Sequence, residues 1–261
     1  MLRTAAMPRL SAFSRLQLSL LLRIAPAPPD ILTGAAYKNK SKLRVLLGDT
    51  TIDKLKRADA VLDFGCGYGG QAVELAQFGC KRVIGLDIQM ERLQAARAAA
   101  AEAGVAERCE FVTKIDTPVQ AIVSLDAFEH FEDPAAILGM MASLLEPGGR
   151  VYACFGPTWY HPLGGHMFSI FPWAHLVFGE SALCAWRELT HSHPDGATQF
   201  REIAGGLNQM TIGRFERIVA QSPLQLERLE CVPIRPLRRL HYGFTREWTT
   251  AVVRCDLLKL A

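Results

Sequence analysis

The stretch Val61-Leu62-Asp63-Phe64-Gly65-Cys66-Gly67-Tyr68-Gly69-Gly70 constrains this chain more than any other. A short apolar run, Ala60–Phe64, stops at glycines and is followed by Ala72, Leu75 and Ala76 at helical spacing. That pattern is a buried strand turning sharply into a helix. Glycines at such a turn permit positive φ angles and let a ligand approach the backbone. The helix beyond offers unpaired N–H groups to an anion, whether a pyrophosphate or an amino-acid carboxylate.

The same rhythm continues downstream. Arg82–Leu86 reads as a second strand, and Met90–Ala103 as an alanine-rich helix closed by Gly104. Glu110–Thr113 and Ala121–Leu125 give a third and a fourth strand. Asp133 followed by Pro134 is an N-cap and first helical position, and Ile137, Met140, Met141 and Leu144 form one apolar stripe. Pro147-Gly148-Gly149 ends that connection and Val151–Phe155 makes a fifth strand. Thr211 caps a further helix. Two strand-like runs, Leu226–Ile234 and Thr249–Leu257, close the chain, and residues 235–248 between them suffice for an antiparallel hairpin. Residues 41–57, rich in Leu, Lys and Arg, read as helical. The expected fold is α/β: a doubly wound, seven-stranded, mostly parallel sheet with an antiparallel C-terminal strand and a helical insertion after strand 5.

Asp87 ends the second strand, where a carboxylate can accept hydrogen bonds from ribose hydroxyls. Glycine loop and acid share the carboxyl edge of the sheet, so together they predict a nucleoside-containing cofactor. The glycines alone are ambiguous, because Gly65-x-Gly67-x-x-Gly70 also satisfies the dinucleotide fingerprint. Three features separate the readings. Asp63 stands where dinucleotide folds carry a small or apolar residue, the chain ends in two strands, and Ser124–Pro134 (SLDAFEHFEDP) follows the fourth strand.

Val61–Gly70, Val83–Ile88, Ser124–Pro134 and Leu145–Tyr152 resemble the successive motifs of class I S-adenosylmethionine-dependent methyltransferases of the small-molecule type. The resemblance covers roughly residues 45–157. It implies that Gly65, Cys66 and Gly67 line the methionine part of the cofactor, with Asp63 beneath, near its amino group or the loop. It further implies that Asp87 binds the ribose, Ile88 packs on adenine and Leu125 borders the sulfonium. Asp116 is the acid in the short Lys114–Val119 loop, where relatives carry an acid near adenine. A nicotinamide-dependent oxidoreductase is the rival enzyme, and a non-catalytic S-adenosylmethionine binder is a third reading.

Methyl transfer needs an acceptor held in line with the sulfonium, and a base where the acceptor carries a proton. His130, just past the fourth strand, is the first candidate base. His166, between Gly164-Gly165 and Met167-Phe168, is the second. Bracing of the adjacent loops is the alternative for both. His175 reads as a packed histidine, and His191-x-His193 lacks the neighbouring ligands a metal site needs. Residues 158–208 fit no βαβ unit and are expected to cap the substrate. Their aromatics (Trp159, Tyr160, Phe168, Phe171, Trp173, Phe178) suit either an apolar acceptor pocket or a satellite core.

The expected organisation is an N-terminal segment, residues 1–29, and a methyltransferase domain, residues 30–261. Arg3, Arg9, Arg15 and Arg23 punctuate the N-terminal segment, no acid precedes Asp30, and Leu16–Leu22 is apolar. This pattern suits a transit peptide, an interfacial helix with peripheral membrane contact, or a helix packed on the domain. It is too short and charged to span a bilayer. The seven cysteines are an odd number, widely spaced and without a C-x-x-C pair, which predicts free thiols in a reducing, cytoplasmic setting. A net charge of +3, with scattered Lys and Arg, argues against a nucleic-acid partner. The expected partner is a small acceptor molecule.

Overall fold

The computed structural model describes residues 10–27, 40–191, 196–203 and 206–260. Arg3, Arg9, Asp30 and His193 lie outside the described residues.

Three helices come first: α1 (Ala12–Ile24), α2 (Lys42–Leu47) and α3 (Asp49–Arg57). The 41–57 stretch is thus two helices, because Gly48 adopts a φ of 80° and turns the chain between them. The alternating core follows as β1 (Val61–Phe64), α4 (Gly70–Gln77), β2 (Val83–Leu86), α5 (Met90–Glu102), β3 (Cys109–Val112), β4 (Val119–Leu125), α6 (Pro134–Leu144) and β5 (Leu145–Phe155). The Asp133 carboxylate accepts from the Ala136 N–H and fixes the start of α6. β5 begins earlier than the Pro147-Gly148-Gly149 punctuation suggests. Leu145 already pairs with Val119, and the register with β4 then shifts, so the glycines sit in an irregularity of the strand.

The insertion carries α7 (Ala174–Val177) and α8 (Glu180–Thr190), and the chain closes with α9 (Ile212–Ala220), β6 (Leu224–Pro233), α10 (Arg246–Thr249) and β7 (Thr250–Lys259). The sheet order is β3-β2-β1-β4-β5-β7-β6. β1 to β5 pair in parallel, and β7 runs against both β5 and β6. β1 is buried along its whole length, as a central parallel strand covered on both faces must be. Leu62, Ile122, Leu138, Val151 and Phe215 pack on one face. Leu43, Leu55, Val61, Leu75, Ala96 and Val123 pack on the other.

A third core lies off the sheet. Phe168, Phe178, Leu183, Trp186 and Phe200 of the insertion enclose Leu18 and Leu21 of α1. Fully burying a side chain such as Leu21 contributes about 1.5–3 kcal/mol. The Trp186 Nε1–H, buried in this core, donates to the Ala25 carbonyl at 2.7 Å. The N-terminal helix therefore packs on the insertion, which has its own satellite core. Among the described residues no helix is long and apolar enough to cross a membrane, and the seven cysteines are free.

Candidate active site at the carboxyl rim of the sheet

The glycine loop leaves β1 at its carboxyl end and is tied to the neighbouring strand. Gly65 N–H and Cys66 N–H both donate to the Leu86 carbonyl at 2.9 Å. Gly65 and Gly67 have φ angles of 77° and 53°, a region closed to most side chains. A Cβ added at either would meet nothing within 4 Å, so the space above both is open. Gly69 is different: its missing Cβ would lie 2.6 Å from that of Ala96, and there glycine serves helix packing.

Asp87, at the carboxyl end of β2, faces this loop. Its Oδ2 accepts from the Gly67 N–H at 2.9 Å and its Oδ1 from the Gln89 N–H at 2.8 Å. Each oxygen keeps a further lone pair for a hydroxyl. Asp63 lies beneath the loop, buried, and accepts from the Ala72 N–H of α4. Its Oδ2 has no partner. Burial pushes its carboxyl up to about 7, with Asp87 adding to the rise and Lys42 opposing it. An orphaned acid of this kind suits a cationic group above it. Ile88 is 88% exposed at the same rim, and Leu125 is half-buried at the end of β4. The Cys66 thiol is buried and pushed up to about 12, chiefly by desolvation, so it is no nucleophile. Asp116 pairs with Lys114 at 2.7 Å on the exposed loop after β3.

The two candidate histidines meet. The His130 and His166 rings stand edge to face with centroids 5.2 Å apart. His130 Nδ1 lies 2.8 Å from the Gly206 carbonyl, which can only accept, so Nδ1 carries the proton and Nε2 is the basic nitrogen. By the same argument His166 donates from Nε2 to the Pro157 carbonyl at 3.3 Å and keeps Nδ1 as an acceptor. Burial, with His130 beside it, pushes His166 down to about 4, so its imidazole is neutral near pH 7. His166 has a φ of 50° and Asp126 a φ of 49°, and such strained non-glycine backbone clusters at functional sites. His175 donates to the Trp159 carbonyl at 2.6 Å and packs on Gly165, next to His166.

Three rim groups escape a sequence reading. Lys42 of α2 pairs with Asp126 at 2.7 Å and also acts on Asp63 and Glu129. Glu129 is buried, accepts from the Gly156 N–H at 3.2 Å through Oε1 and leaves Oε2 unpartnered. Burial, reinforced by Asp126, pushes its carboxyl up to about 8, so it is protonated near pH 7. The Asp126-x-x-Glu129-His130 spacing was visible, but nothing in it told which acid would be buried. Among the described residues no cluster could hold a metal ion. A cleft of about 610 Å³ at the other end of the sheet is lined by Lys54, Arg57, Arg150 and Glu227. Lys54 and Arg150 already pair with Asp256 and Glu227, and the cleft holds none of the rim residues.

The strand order separates the two cofactor readings. A dinucleotide fold ends in a sixth parallel strand beside the fifth, whereas here the neighbour of β5 is the antiparallel β7, placed between β5 and β6. Residues 62–153 match a family model described as a methyltransferase domain. The sheet has the class I methyltransferase fold.

This domain is 37% identical over 98 residues to a ubiquinone biosynthesis O-methyltransferase of Aeromonas salmonicida, covering 35% of this chain and 41% of that protein. The chain thus aligns with about two fifths of the length of the curated relatives it matches. The fold is similar to that of magnesium protoporphyrin IX methyltransferase from Synechocystis with bound S-adenosylhomocysteine. That likeness has a TM-score of 0.55 at 16% identity and covers 95% of each chain. It is also similar to that of the cyclase SpnF, with a TM-score of 0.54 at 13% identity, covering 95% of this chain and 96% of that one. The cofactor of the methyltransferase domain is S-adenosylmethionine, and the residues at the rim fit it. The open cradle over Gly65 and Gly67, the orphaned Asp63 oxygen and the Asp87 carboxylate are the observations that fit.

Proposed function

We propose that this chain methylates a small, apolar or aromatic organic acceptor at the rim between the glycine loop and the insertion. S-adenosylmethionine supplies a methyl on a sulfonium whose leaving group is a neutral thioether, open to in-line displacement. Gly65, Cys66 and Gly67 line the methionine part, Asp63 takes the amino group, Asp87 holds the ribose, Ile88 lies against adenine, and Leu125 borders the sulfonium. The observation that carries the reading is the shared edge. Asp63 lies within the last residues of β1, and the cradle, Asp87 and the His130–His166 pair follow strands whose carboxyl ends lie side by side.

In this reading the insertion, residues 158–208, caps the acceptor. His130 Nε2 takes the acceptor's proton, since Nδ1 is held by the Gly206 carbonyl. His166, neutral, orients the acceptor through Nδ1. The name of the ubiquinone relative supports an aromatic acceptor. The N-terminal segment belongs to the same proposal as a peripheral membrane contact, because α1 presents Phe13, Leu16, Leu20 and Ile24 to solvent beside Arg15 and Arg23.

The test is a methyl-donor turnover assay against a metabolite extract, with mass detection of a product heavier by one CH₂ unit. Such a product, lost in His130→Ala, is expected. Binding of S-adenosylhomocysteine without any methylated product would favour the non-catalytic reading. Stabilisation by nicotinamide cofactors alone would overturn the assignment of the rim.

A further inference from the structure

Residues 235–248 leave the sheet at the rim that carries the proposed active site. β6 runs parallel to β5, and Pro233 at its end stands opposite Thr250 at the start of β7. This connection is far from the polar loop that a surface hairpin needs. Leu240, Tyr242 and Phe244 are 57%, 57% and 86% exposed, and the Tyr242 and Phe244 rings stack at 6.0 Å. Arg235, Arg238 and Arg239 stand exposed beside them. Among the described residues none of the three forms an ion pair. Glu247, the one acid of the segment, accepts from the Ile212 and Gly213 N–H groups at the start of α9.

The segment is also joined to the other exposed apolar elements. Trp248 lies against Tyr160 and Trp173, with ring centroids 4.9 and 6.4 Å away. Trp173 begins α7, whose Leu176 and Val177 are exposed. Just past the end of α7, the Gly179 N–H donates to Gln17 of α1 at 3.1 Å. Contacts therefore join α1, α7 and residues 240–248 into one ledge that carries exposed apolar side chains on each element, and the charges without an ion pair beside it, on α1 and on residues 235–239, are all positive.

We propose that this ledge docks the protein on an anionic lipid surface, with residues 235–248 as the second anchor beside α1. Aromatic rings seat at the boundary between headgroups and acyl chains, and arginines there reach the phosphates while burying their stems. Binding of such a surface grows with the apolar area it buries and with its attraction to anionic lipids, so a second basic, aromatic element beside α1 strengthens attachment. A second copy of the chain would bring the same cations face to face, which disfavours self-association through this ledge. Docking stands apart from the methyl-transfer reading. Only its consequence, an apolar acceptor entering the rim directly from lipid, rests on that reading.

Flotation of the whole chain with vesicles tests this. Binding is expected to phosphatidylcholine mixed with phosphatidylglycerol, to be weak on phosphatidylcholine alone, and to be released by salt. Neutralising Arg235, Arg238 and Arg239 to Gln should weaken binding roughly fivefold per residue. Tyr242→Ser with Phe244→Ser should also reduce it, while S-adenosylhomocysteine still raises the melting temperature of every variant. Wild-type protein left in the aqueous fraction with the mixed vesicles would overturn the proposal. So would equal flotation of the loop variants and wild type, salt-insensitive flotation, or capture of an acidic protein without vesicle binding. Retained cofactor binding beside failed flotation would leave the active-site reading intact, and flotation without methyl transfer would do the reverse.

Discussion

Replacing Asp87 with alanine should weaken S-adenosylhomocysteine binding by about 1–3 kcal/mol, roughly 5- to 150-fold. The size follows from what the carboxylate already does. Its two oxygens each accept one backbone N–H, from Gly67 and Gln89, and those bonds aim the remaining lone pairs at the rim. Alanine removes two charged acceptors for the ribose and also strands both N–H groups. The free protein should therefore lose about 1–2 kcal/mol of stability as well. Calorimetric titration gives the affinity change, and thermal unfolding without ligand gives the stability change, so the two are separable. Asp87→Asn keeps the shape but turns an NH₂ group towards one of the two N–H donors, and its loss should be intermediate. An Asp87→Ala protein that unfolds earlier yet binds with unchanged affinity would refute the ribose assignment and leave Asp87 a purely structural tie.

Three further outcomes are expected. Gly67→Val should abolish cofactor binding, because its side chain fills open space above the loop, and a β-branched residue at φ 53° should also cost about 1–3 kcal/mol of stability; retained affinity would show that the cradle lies elsewhere. Asp63 has its folded value raised from 3.8 to about 7, so its proton stabilises the free protein fully below 3.8, and that contribution is lost as pH rises through 7. A cofactor ammonium above it should expel this proton. Calorimetry at pH 7 in buffers of different ionisation heat should then show release of about half a proton, absent in Asp63→Asn; no buffer dependence would place the ammonium away from Asp63. His166 is pushed down from 6.5 to about 4, so its contribution is present above 6.5 and lost as pH falls through 4. Denaturant titrations from pH 7.5 to 4 should show a flatter acid limb for His166→Gln, and an identical limb would mean that His166 is solvated.

The sheet was legible because its signals are local. An apolar run ending at Gly65, helical spacing through Ala72, Leu75 and Ala76, and the Asp133-Pro134 start each fix an element from within a few residues. Asp87 could be placed at the rim because strand ends and glycine loops carry their own punctuation. What stayed hidden depends on distance in the chain. Gly48 breaks residues 41–57 into two helices, and the first of them brings Lys42 to Asp126, across most of the domain. Glu129 and Glu132 look alike in sequence, yet only Glu129 is buried, beneath the turn out of β5. The contact between His130 and His166 was equally invisible, since it depends on how the insertion returns to Gly206. The basic, aromatic 235–248 connection reads as a mere linker until the sheet shows which edge it crowns.

The bond from Trp186 to Ala25 joins residues 161 positions apart. On the ribosome, α1 emerges early and its apolar side finds no partner until α8 has been made. At typical elongation speeds that wait lasts roughly ten to thirty seconds. A helix of 13 residues is marginal by itself over such an interval. A segment made well before its partner is therefore among the last to settle, and it spends the delay as bare hydrophobic chain within reach of chaperones.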